Sequence, residues 1–119
     1  MELRIGTCGW SYEDWKGTFY PPDTKDELAF YASHFNAVEI DSTWYRIPSP
    51  HTVVSWHKRT TSDFLFCPKL PGEITHEKLL DEVDDLVTAF LDVISNKFKY
   101  AGEWIERNKS SCISIAASF

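Results

Sequence analysis

Cysteine is too scarce and too scattered in this chain to shape its fold. There are three, Cys8, Cys67 and Cys112, an odd and widely spaced set. Such a set is no disulfide framework, and without a C-x-x-C pair there is no zinc signature. The four histidines, His34, His51, His57 and His76, also lack ligand spacing, so no metal is expected from the residues present. Positive charge is short as well: 12 Lys and Arg stand against 18 Asp and Glu, a formal net charge of −6. Nucleic-acid binding needs a basic face to neutralise phosphates, and the sequence signals none. No apolar run approaches a membrane span, and Met1-Glu2-Leu3-Arg4 lacks the apolar core of a signal peptide. No membrane partner is therefore expected, and a reducing cytoplasm is the expected compartment. Neither G-x-G-x-x-G nor G-x-x-x-x-G-K-[ST] is present, which argues against a nucleotide-binding open sheet.

Aromatic residues are what the chain has in quantity: five Trp, five Tyr and eight Phe, with most of the Trp and Tyr before residue 60. An aromatic pocket is therefore expected in the first half. With 43% hydrophobic and 25% charged residues in 119, the composition is that of one globular domain with a real core. Leu3–Thr7 reads as a first strand, ended by Cys8-Gly9. A loop over 10–22 follows, and Thr24-Lys25-Asp26-Glu27 has the form of a capping box with Thr24 as the cap. Leu28, Tyr31, Ala32 and Phe35 then repeat at helical spacing. Ala37–Asp41 is a second strand, and Ser49-Pro50 opens a second helix with Val53 and Trp56 on its buried face. Phe64–Cys67 is a third strand, ended by Pro68. Val83, Leu86, Val87, Phe90, Leu91 and Ile94 define a third helix, and Cys112–Ile115 is a weaker fourth strand. Strands recurring about every thirty residues between helices are the repeat of βαβ units, hence a parallel sheet in an α/β fold.

Gly6-Thr7-Cys8-Gly9-Trp10-Ser11-Tyr12, Trp15-Lys16-Gly17 and Phe19-Tyr20-Pro21 resemble the opening of the domain of unknown function 72 (YecE-like) family. The likeness continues through Tyr31, Phe35-Asn36-Ala37-Val38-Glu39-Ile40, Ser42, Trp44-Tyr45-Arg46 and Pro48-Ser49. It extends to Trp56, Phe64, Phe66, Lys69, Pro71 and Ile74-Thr75-His76, so it covers roughly residues 3–96. The resemblance implies a TIM-type (β/α) barrel, a fold of about 250 residues. Residues 1–119 are then expected to form a single partial barrel domain, the first three to four βα units. Residues 98–115 depart from the family pattern, while Ala117-Ser118-Phe119 returns to it. A local reading-frame change followed by truncation is the expected cause. Uncovered strand edges in such a segment would favour self-association.

Glu39 is the most informative single residue. A parallel strand is apolar on both faces, so a carboxylate within Val38-Glu39-Ile40 needs a partner or a polar cavity. Glu39 and Asp41, two residues apart, share a face at the C-terminal end of their strand, roughly 6.5 to 7 Å apart. That end is where barrel enzymes carry their sites. Lys69, at the end of the next strand, is the expected partner of Glu39, either in a structural ion pair or in catalysis. The resemblance also places the family's Lys there. His76 could serve as general base or simply cap a helix start. Tyr45 and Arg46 follow the second strand, and Arg46 could clamp a carboxylate or phosphate. Trp10, Tyr12 and Trp15 could stack a sugar or base, or plug the core. Cys8 reads as a small inert hydrophobe. Three functional expectations follow. The first is an enzyme, hydrolase- or isomerase-like, on a small or phosphate-bearing substrate. The second is a nucleic-acid binding or processing barrel. The third is a non-functional remnant. No cofactor is indicated by any motif.

Overall fold

The structure, a computed structural model, describes residues 3–97, with side chains to residue 94. The expected fourth strand and the departure over 98–115 lie outside the described residues. Helix α1 (Glu27–Ala32) is followed by strand β1 (Ala37–Ile40), a short helix α2 (Ser42–Tyr45) and helix α3 (Pro50–Lys58). Strand β2 (Leu65–Pro68), an isolated π turn (Glu73–Glu77) and helix α4 (Asp84–Lys97) complete the order. β1 and β2 pair in parallel, with Ala37 opposite Leu65 and Glu39 opposite Cys67. The α/β class with parallel strands is thus present. Among the described residues the sheet has two strands, and no further strand pairs with the far side of β2.

The expected first strand does not form as a regular one. The chain beside β1 makes two ladder bonds, Glu39 N–H to the Thr7 carbonyl (3.0 Å) and Gly9 N–H to the Glu39 carbonyl (2.8 Å). One step earlier, the Tyr31 hydroxyl is inserted into the ladder. It accepts from the Thr7 N–H (2.7 Å) and donates to the Ala37 carbonyl (3.1 Å). The Asn36 side chain takes over the next step, accepting from Ile5 N–H and donating to the Leu3 carbonyl. Side chains have replaced backbone partners at these steps, so the ladder continues without strand regularity. Gly6 makes this approach possible, since a Cβ there would lie 1.9 Å from the Ala37 carbonyl oxygen.

The α1 cap also differs from the expected box. Asp26, not Thr24, is the cap, and its carboxylate accepts from Ala29 N–H at 3.1 Å. Arg59, just past α3, binds the same carboxylate through Nε and one terminal nitrogen (3.0 and 2.7 Å). A carboxylate held there serves the helix dipole and the guanidinium together. Glu27 instead accepts from the Ser11 hydroxyl. The second cap is as expected: Ser49 accepts from Thr52 N–H, Pro50 opens α3, and Val53 and Trp56 are buried. β2 ends one residue later than expected. Lys69 N–H bonds the Ile40 carbonyl (3.1 Å), so the missing N–H of Pro68 falls on the side away from β1.

One core unites these elements. Leu28, Tyr31, Val38, Ile40, Val53, Trp56, Phe64, Phe66, Phe90 and Ile94 form a single buried cluster, with α4 packed on α3. Each fully buried large side chain contributes about 1.5–3 kcal/mol. Leu91, read as part of the apolar face of α4, is instead 41% exposed. No helix among the described residues is long and apolar enough to cross a membrane.

Candidate functional site

The parallel register brings three charges together at the C-terminal ends of β1 and β2. Lys69 Nζ lies 3.0 Å from Glu39 Oε1 and 2.7 Å from Asp41 Oδ1. The Glu39 side chain is 10% exposed and that of Lys69 18%, so this pair is largely removed from water. Asp41 is positioned to join them because its carboxylate takes no part in capping α2. Both facing oxygens are shielded from solvent. The Lys69 ammonium is held well above its ordinary pKa, first by its bond to Asp41 and then by that to Glu39, against the opposing effect of desolvation. Its two carboxylate partners thus favour the charged form.

Thr43 fixes this arrangement from beneath. It is fully buried, and its hydroxyl lies between the carbonyl oxygens of Ile40 (3.0 Å) and Lys69 (2.7 Å). The end of β1 is thereby tied to Lys69, the residue that follows β2. Sequence reasoning missed Thr43. Its only signal was a hydroxyl residue just after a strand, which is common in turns.

Cys8 pairs with Glu39 across the strands. Partial desolvation, then the Glu39 and Asp41 carboxylates, push its thiol pKa up, so it is not an activated thiolate. One ligand atom each of Cys8, Glu39 and Asp41 lie within 4.8 Å of one another, a span that a metal ion could bridge. The Lys69 ammonium already supplies positive charge to two of the three, so a metal would have to displace it.

A cavity of about 440 Å³ opens beside these groups, lined by Asp41, Lys69, Trp44, Tyr45, Leu70 and Thr75 with Cys8. Trp44 packs on Gly72, where a Cβ would lie 2.7 Å from the indole. His76 meets Trp44 edge-on at 4.5 Å and contacts the Thr75 hydroxyl through Nδ1 (2.8 Å). His76 sits within the π turn rather than at a helix start. Arg46 is exposed at the end of α2, outside the cavity lining. The N-terminal aromatics divide. Trp10 packs edge-on against Trp56, and Trp15 lies among Phe19, Tyr20 and Tyr31, both against the core. Tyr12 remains 40% exposed, with its hydroxyl bonded to the Cys8 carbonyl, and Asp41 raises its pKa after desolvation does.

Residues 4–102 match the family model described as "Protein of unknown function DUF72". The chain belongs to this family. It is 39% identical over 105 residues to the UPF0759 protein YecE of Escherichia coli K12, spanning 87% of this chain and 37% of YecE. It is 33% identical over 94 residues to the UPF0759 protein YunF of Bacillus subtilis 168, spanning 74% of this chain and 32% of YunF. Two crystal structures of a DUF72 family protein from Enterococcus faecalis V583 align at 26% identity, with TM-scores of 0.61 and 0.53. Each alignment covers 89% of this chain and 36% of the solved one. The DUF72 chain thus spans about a third of the length of the curated relatives it matches.

Proposed function

We propose that this DUF72 chain carries the catalytic end of a TIM-type barrel enzyme acting on a small substrate. The observation that supports it is Lys69 held between Glu39 and Asp41, at the C-terminal ends of parallel strands, beside an open cavity. Barrel enzymes carry their chemistry at that end. In this reading a carboxylate, Asp41 on the cavity wall or Glu39 behind the lining, takes a proton from the substrate. The Lys69 ammonium stabilises the negative charge that develops, a hydrolase- or isomerase-like division of labour. His76, in contact with the cavity-lining Trp44 and Thr75, would serve as a second proton carrier, while Arg46 lies outside the lining. Tyr45 and Trp44 bound the substrate, while Tyr12 packs against the Cys8–Gly9 turn. The nucleic-acid reading has less support, since Trp10 and Trp15 are engaged by other rings and the chain is acidic.

Glu39→Gln tests the proposal, because it keeps the side-chain shape and removes the charge. Pools of small metabolites are incubated with wild type and variant, and products are detected by mass spectrometry. Turnover by the wild type should fall about 100-fold or more in Glu39→Gln, with little change in the unfolding midpoint. A variant that unfolds would instead assign Glu39 to a structural ion pair.

A further inference from the structure

We propose that the cavity beside Lys69 binds a neutral, polyhydroxylated ring of monosaccharide size. The inference rests on the reading of this cavity as a substrate site and adds the class of ligand. Asp41 and Lys69 both line the cavity, with their charged atoms 2.7 Å apart. An ionised carboxylate only accepts hydrogen bonds and an ammonium only donates them. A ligand group that touches both side chains from the cavity must therefore donate to the carboxylate and accept from the ammonium. A hydroxyl does both, whereas a phosphate or carboxylate is suited only to Lys69 and an amine cation only to Asp41.

The balance of charge points the same way. Glu39 and Asp41 together outweigh Lys69 by one negative charge, and Glu39 is nine-tenths buried, where repulsion is weakly screened. A phosphate-bearing ligand would meet that excess. The walls supply the rest of the match: Trp44, Tyr45 and Leu70 are apolar surfaces on which the C–H face of a sugar ring can lie. Tyr45 is 84% exposed, so its ring is left to the cavity rather than to the core. The Thr75 hydroxyl adds a further polar contact on the wall. A volume of about 440 Å³ accommodates one such ring and falls within the range of small-molecule pockets.

Saturation-transfer NMR on the 119-residue chain tests this directly. The probes are D-glucose, D-galactose and D-mannose, with glucose 6-phosphate, glucuronate and glucosamine as charged counterparts, each up to about 50 mM. At least one neutral sugar should bind saturably and more tightly than its charged counterparts. Tyr45→Ala, at an exposed position where folding is not at stake, should weaken that binding about tenfold. The proposal is overturned if no neutral sugar binds, if a charged probe binds better, or if Tyr45→Ala binds as wild type does. Binding of a neutral sugar without turnover would keep the ligand class and remove the enzyme reading. Turnover of a substrate without hydroxyls would keep the enzyme reading and remove the class.

Discussion

Asp26 and Arg59 form an ion pair as short as that of Asp41 and Lys69, 2.7 Å in each. In other respects the two regions are opposites. The Asp26–Arg59 pair is over a third exposed on both sides, and its hydrogen bonds are aligned through two guanidinium nitrogens. It joins the start of α1 to the end of α3 and caps a helix at the same time. The strand-end cluster holds one ammonium against two carboxylates, with Glu39 nearly buried. A pair built for stability is satisfied by its own partners. Two carboxylates gathered on one ammonium beside a cavity are arranged for something else.

The largest difference between the regions should come from Lys69→Met. With the ammonium gone, Glu39 stays buried beside Asp41 without compensation, and we expect a loss of about 3 kcal/mol in urea unfolding. Adding Glu39→Gln to that variant should recover part of the loss, since the uncompensated charge is removed. If the single variant is as stable as wild type, the cluster is more hydrated than its burial implies.

Thr43→Val comes next. It keeps the shape but leaves the Lys69 carbonyl without its 2.7 Å partner. We expect about 1–2 kcal/mol of destabilisation in the same experiment. The Lys69 amine should also become more reactive to acylation, which a loss of stability elsewhere would not produce. An unchanged rate of Lys69 modification, read by mass spectrometry, would contradict its clamping role.

Arg59→Ala should cost less, about 1 kcal/mol, because the exposed pair is screened and Asp26 still caps α1. Its clearer signature is in acid. The Arg59 bond, then the helix N–H, hold the Asp26 carboxyl below the ordinary range, against desolvation. The unfolded chain then binds more protons than the folded one, so stability rises with pH in that window. The contribution is complete above the unfolded value of about 3.9 and fades as pH falls through the lower folded value. Unfolding midpoints measured down the acid limb should therefore fall less steeply in Arg59→Ala than in wild type.

Salt should give the smallest effect. Raising it to about 0.5 M should weaken the exposed pair by a few tenths of a kcal/mol and leave the strand-end cluster nearly unchanged. Comparing the salt dependence of wild type with that of Arg59→Ala and Lys69→Met would separate the two contributions.

Parts of this fold were legible residue by residue. Ser49-Pro50 announced α3 because cap chemistry is local, and the apolar spacing of Val53 and Trp56 placed its buried face. Glu39 stood out because a charge inside an apolar strand requires a partner, and strand order made Lys69 the nearest candidate. The capping box failed at Thr24 because Arg59, 33 residues after Asp26, selected a different cap. The first strand failed because Tyr31 and Asn36 replaced backbone partners, and no periodicity registers that exchange. Leu91 fits the helical repeat, yet its place on the apolar face depended on what packs there. The division of Trp10 and Trp15 from Tyr12 was equally hidden, since a ring suited to a ligand is equally suited to a core.

By itself, the sequence determined the local features: α/β alternation, parallel pairing, the start of α3 and the presence of a carboxylate that could not stand alone. These follow from propensity, spacing and the cost of burying charge, each of which acts over a few residues. Only the tertiary structure decided that Asp41 joins Glu39 on a single ammonium, that Thr43 ties the end of β1 to Lys69, and that a cavity lies beside them. Those outcomes depend on the register of two strands and the turns that follow them, where a shift of one residue would face every side chain the other way.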